Sequence, residues 1–147
     1  MSRKVLKVAM GLTVVAALTL GVTTVAFAEG QRLSYISAWP TGHRSGTWAD
    51  SDGDSAHTRV LLTGVTISAD NITYTPSSVQ LQLLKNNPPF GYQAVSNKTA
   101  APGSYQDWGN PGSGTFVFQY NGSTYAGGFY GSGSGFDLNA THANIYW

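Results

Sequence analysis

Beyond residue 28, no stretch of this chain sustains the three-to-four-residue apolar spacing of an amphipathic helix. Apolar side chains come instead in short runs, cut at close intervals by Gly, Pro, Asn, Asp or Ser. A chain divided in this way can hide its apolar surface only by laying short strands side by side. The clearest strand spans 58–68, where Val60, Leu61, Leu62, Val65 and Ile67 ask for burial on both faces and Gly64 marks a bulge. Asp70-Asn71 then turns the chain into a short β-branched and aromatic run at 72–75. In 79–83 the alternation of Val79, Leu81 and Leu83 with glutamines gives a half-buried strand. Pro88-Pro89 breaks the next connection. Asn121-Gly122, set between two aromatic and β-branched runs, predicts a tight type I′ hairpin. The segment 29–39 reads as an edge strand ended by Pro40, 41–56 as a long polar connection or a wide hairpin, 96–114 as a surface loop, and 141–147 as a final strand. The pattern predicts an all-β fold, a two-layer antiparallel β-sandwich, with a small β-barrel as the alternative.

Residues 1–28 differ from the rest. A cationic start (Arg3, Lys4, Lys7) precedes a mainly apolar run to Val25, followed by Ala26-Phe27-Ala28. This is the grammar of a helical secretory signal peptide with its cut after Ala28, and it predicts a single secreted, extracellular β domain over 29–147. The apolar run is diluted by Thr13, Thr19, Thr23, Thr24, Gly11 and Gly21, which argues against an uncleaved anchor and against stable membrane insertion after cleavage.

Removing that leader changes the charge. Of eight basic residues three leave with it, so five face seven acidic ones and the mature net charge is −2. With no basic run, the domain lacks the electrostatic footprint that nucleic acid or an anionic membrane requires. There is no cysteine, so no disulfide framework supports the fold. Stability has to come from burial.

The charged residues form no catalytic set. His43, His57 and His142 are far apart, and none lies at metal-ligand spacing to another. His57 near Asp54 is one acid–base pairing, with Ser45 or Ser55 as a nucleophile, yet no nucleophile-elbow pattern surrounds either serine. The expectation is a protein that is not an enzyme. Asp50, Asp52 and Asp54 fall on alternate residues, a spacing that can aim carboxylates at one calcium ion, the single cofactor the sequence suggests. The aromatics carry more: Trp48, Tyr105 and Trp108 sit in predicted loops beside polar residues, where exposed rings stack on sugar faces or anchor an interface. Trp108, with Tyr105 and Asp107, is the first candidate for an exposed ligand-binding ring.

Three pieces of the chain resemble the lactococcin-like bacteriocins, small secreted antibacterial proteins without cysteines. They are the junction Ala26-Phe27-Ala28-Glu29-Gly30, the stretch Ser55-Ala56-His57-Thr58-Arg59-Val60, and the aromatic end Ile145-Tyr146-Trp147. The resemblance implies a β-sandwich that interferes with cell-wall assembly by binding a lipid-linked precursor. The residues themselves imply a non-enzymatic protein binding a cell-envelope or extracellular ligand such as a cell-wall glycan. The low charge and the glycine-rich final third fit a third reading, a structural subunit of a surface layer or fibre.

Overall fold

The computed structural model describes residues 30–51, 53, 55–125, 128–130 and 136–147. The stretch read as a signal peptide lies outside them. Eleven strands are present among the described residues: β1 (Gln31–Arg32), β2 (Ile36–Trp39), β3 (Trp48–Asp50), β4 (Arg59–Ala69), β5 (Ile72–Tyr74), β6 (Ser78–Asn86), β7 (Tyr92–Ala100), β8 (Tyr105–Asp107), β9 (Gly114–Tyr125), β10 (Gly128–Tyr130) and β11 (Asp137–Tyr146). They form two antiparallel sheets. In the first, β11 and β4 are central, β1 and β2 lie along the outer side of β11, and β5 and β8 lie along the outer side of β4. In the second, β9 and β6 are central, β3 and β10 flank β9, and β7 forms the other edge.

Both sheets contribute to one core. Val60, Leu62, Val65, Ile67, Leu138 and Ile145 from the first meet Val79, Leu81, Leu83, Phe116, Phe118 and Tyr120 from the second. The sheets stay open, which sets aside the barrel alternative. At both edges the chain crosses from one layer to the other instead of pairing on: β8 follows β7 but bonds to β4, and β3 follows β2 but bonds to β9. At the first crossing, the Gly103 N–H donates to the Leu62 carbonyl at 2.7 Å and ties the turn down on the first sheet.

Turn chemistry explains where the chain reverses. Asp70 and Asn71 take φ of 48° and 65° between the paired residues Ala69 and Ile72, the double left-handed conformation of a type I′ turn. Asn121-Gly122 behaves otherwise. β9 runs straight through it: Gln80 pairs with Gly122 and Leu81 with Tyr120, so Asn121 is the extra residue of a bulge. The predicted hairpin is therefore displaced, and the reversal falls between β9 and β10. The continuation brings Ser123 into the interior, where its hydroxyl lies 2.9 Å from the Tyr120 hydroxyl.

β4 and β11 share a second irregularity. Burial alternates through Val60 and Leu62, then shifts by one to Val65, Ile67 and Ala69; in β11 it shifts from Leu138 and Ala140 to Ala143 and Ile145. The bulge expected at Gly64 is thus twinned with one at Thr141-His142. Because both strands take up an extra residue at the same level, their pairing keeps one register from Ser68↔Asp137 to Arg59↔Tyr146. Gly64 has φ of 58°, and a Cβ there would run into the Thr141 side chain, whose hydroxyl donates to the Thr63 carbonyl at 3.0 Å.

The predicted surface loop 96–114 is also corrected. Its first part completes β7, and 105–107 form β8 against β4. β7 is an edge strand with little buried apolar surface, so the alternation that signals a strand is missing from it.

Candidate functional site

Trp48 and Trp108 are corrected from exposed rings to core. They are 4% and 5% exposed. Pairing of β3 with β9 sets Trp48 opposite Phe116 and directs it inward, where its ring lies 5.1 Å from that of Phe118 and 6.0 Å from that of Trp147. Trp108 is held by backbone bonds that prolong the β4–β8 ladder, Trp108 N–H to the Thr58 carbonyl and Thr58 N–H to the Gly109 carbonyl, each 2.8 Å. Its ring meets the Phe118 ring edge-on at 4.8 Å.

Tyr105, three residues earlier and on the opposite side, is 58% exposed. Its ring stands edge-on to Tyr146 at 5.6 Å. Register explains the meeting. Leu61 faces Tyr105 on one side, and Arg59 faces Asp107 on that side and Tyr146 on the other, so the two tyrosines reach each other diagonally over β4. Side-chain interaction with Tyr146, helped by desolvation, holds the Tyr105 phenol above its ordinary pKa. Gln31 lies beyond Tyr146, so Asp107, Arg59, Tyr146 and Gln31 form one cross-strand row over the first sheet.

Asp107 is the fixed polar group of this surface. His57 Nδ1 lies 2.9 Å and 3.1 Å from its two carboxylate oxygens, Arg59 Nε donates to it at 3.4 Å, and the Gly109 N–H donates at 2.6 Å. Lys98 Nζ donates to its backbone carbonyl at 2.7 Å. Partial burial works to raise the carboxyl's pKa, but the hydrogen bonds from His57 and Gly109 and the charges of His57 and Arg59 outweigh it. The group is held below the usual carboxylate range. The surface is an exposed aromatic ledge beside an oriented carboxylate and a guanidinium.

No known protein family, curated protein or solved structure matches this chain.

The other sequence candidates are dispersed. Asp50 is buried at the end of β3, and Asp52 and Asp54 lie outside the described residues. Among the described residues no three His, Asp or Glu side chains are grouped to hold a metal. His57 pairs with Asp107, and the Asp54 expected beside it lies outside the described residues. The Ser45 hydroxyl accepts from the Phe118 N–H and donates to the Gly46 carbonyl, both at 2.9 Å, which binds the β2–β3 connection to β9. Arg59 and Gln31 were missed as site residues because their partners are distant in the chain. A local signal existed only for Tyr146, as one of a cluster of terminal aromatics.

Proposed function

We propose that this is a secreted, non-enzymatic β-sandwich protein that binds a cell-envelope glycan through the Tyr105–Tyr146 ledge. The observation that carries the reading is the exposed Tyr105 ring, steadied by Tyr146 and flanked by the oriented Asp107 and Arg59 side chains. Sugar rings present apolar faces to aromatics and hydroxyls to charged acceptors and donors, and a ligand site combines those features in a few fixed groups. Secretion is supported by the leader sequence and by Gly30, two residues after the proposed cut. Its N–H and carbonyl exchange bonds with Trp147 at 2.9 Å and 3.1 Å, so the sheet begins at the start of the mature chain. The test is cosedimentation of the purified mature chain with cell-wall sacculi. Binding is expected to weaken about tenfold in Tyr105→Ala, equivalent to about 1.4 kcal/mol, without loss of the folded far-UV spectrum. Absence of binding to every envelope fraction, or binding indifferent to Tyr105→Ala, overturns the reading.

A second reading, the antibacterial one, is favoured by a specific juxtaposition. The two mature segments that resemble lactococcin-like bacteriocins are neighbours in the first sheet, with Val60 opposite Ile145 and Arg59 opposite Tyr146. It predicts growth inhibition of related bacteria in a plate assay, and inactivity across a broad panel removes it. The fibre-subunit reading has less support. The β7 edge carries a bulge at Val95, and Lys98 sends its ammonium across to the other sheet; both features discourage edge-to-edge pairing.

A further inference from the structure

The outer face of the second sheet carries an ordered row of amides. Asn97 pairs with Gln82, Gln82 with Gln119, and Gln119 with Arg44, so four side chains cross the whole sheet at one level. They point away from the core because their neighbours Leu81, Leu83, Phe118 and Tyr120 point into it. The row spans about 14 Å at the usual strand spacing of roughly 4.8 Å.

An outward polar face is ordinary for an antiparallel sheet. Two features set this one apart. First, the amide at the centre of the row is oriented: Arg44 Nε donates to Gln119 Oε1 at 3.0 Å, and Gln119 Nε2 donates to Asn121 Oδ1 at 3.1 Å. Arg44 also lies over the Tyr92 ring, 5.4 Å from its centre, and so reaches across the sheet above the buried pair Leu84 and Val117. An amide carries two donor hydrogens and two acceptor lone pairs, so its two bonds leave Gln119 with further capacity. Second, the face is nearly neutral. The lysines of β6 and β7 are turned to the other side, Lys85 to the Pro111 carbonyl and Lys98 to the Asp107 carbonyl.

We infer that this row is a second binding surface, for a neutral polysaccharide chain lying across the strands. A run of hydroxyls needs both donors and acceptors at close, regular spacing, which amides supply and ammonium or carboxylate groups alone do not. Orienting Gln119 beforehand removes part of the ordering cost of binding. Arg44, engaged by Gln119 and Tyr92, serves as a wall of the site. This surface is on a different sheet from the Tyr105 ledge, so either can fail without the other.

The test is native affinity electrophoresis in gels containing soluble hydroxyethyl cellulose, glucomannan or starch, with acidic polygalacturonate as a fourth gel. Retardation is expected in at least one neutral gel. It should fall at least tenfold in apparent affinity in Gln82→Ala/Gln119→Ala, fall about threefold in the exposed single variant Asn97→Ala, and persist in Tyr105→Ala. Far-UV spectra and urea midpoints establish that the variants are folded, and Asn97→Ala supplies the reading if the double variant is not. No retardation in any neutral gel, retardation by polygalacturonate alone, indifference to the amide variants, or loss in Tyr105→Ala overturns the inference.

Discussion

Replacing Trp108 with alanine separates a core residue from a binding residue. The ring is 5% exposed and packs edge-on against Phe118. Truncating a buried Trp to Ala costs about 3–5 kcal/mol in transfer and cavity terms. One contribution runs the other way. The indole Nε1 of Trp108 is buried without a hydrogen-bond partner among the described residues, and removing an unpaired buried donor returns about 1 kcal/mol. The expected net loss is therefore about 3 kcal/mol, a large share of the roughly 5–15 kcal/mol that holds a domain of this kind together. At roughly 4 °C per kcal/mol for a domain of this size, the melting temperature should drop by about 12 °C. Urea unfolding followed by far-UV circular dichroism is the assay, because deleting a tryptophan alters fluorescence directly. Trp108→Phe, which keeps most of the ring and discards the unpaired N–H, should lose only about 1 kcal/mol. Tyr105→Ala on the exposed side of the same strand should stay within about 0.5 kcal/mol of the parent. A Trp108→Ala protein of undiminished stability that no longer bound envelope material would refute this reasoning and put the ring back at the surface.

Three further outcomes test other parts of the structure. Gly64→Ala should cost at least about 2 kcal/mol by urea titration, from the left-handed backbone alone and then from the collision with Thr141; Thr141→Gly in the same chain should recover the collision part only. Ser123→Ala should cost about 1–2 kcal/mol, since it strands the Tyr120 hydroxyl in the core, whereas a neutral result would mean that β9 turns back at Asn121-Gly122 after all. Asp107 has its pKa depressed in the folded protein, so its contribution is present above the unfolded carboxylate value and is lost as pH falls through the lower folded value. Thermal melts between pH 5 and about pH 2 should show that acid-side loss shrinking in Asp107→Asn, and an unchanged pH profile would count against the His57–Asp107–Arg59 arrangement.

The sequence disclosed those parts of the fold whose cause is local. Val79, Leu81 and Leu83 alternate because β6 is half-buried along most of its length, and Asp70-Asn71 reverses the chain because both residues tolerate positive φ. Asn121-Gly122 misled for a physical reason. A positive-φ glycine after asparagine serves a type I′ turn and a bulge equally well, and only the long pairing of β9 with β6 decides between them. The site was half-legible. Tyr105 is exposed as expected, yet Trp108, three residues on, is buried, because residues an odd number of places apart leave a strand on opposite sides and a segment read as loop hides that alternation. The partners of Asp107 come from β4, the residues just before it and the turn after β8, and the outer row takes one amide from each of three strands with Arg44 from the bridge beside β9, relations that exist only once the register is set.

The twinned bulge in β4 and β11 has an inheritance of its own. A residue lost or gained at 63–64 alone would slide one central strand against the other and turn half of its apolar side chains outward. The same change made together with one at 141–142 would leave every pair beyond it in step. Chains descended from a common ancestor with this one should therefore carry both extra residues or neither, a linked length variation between two places far apart in the gene.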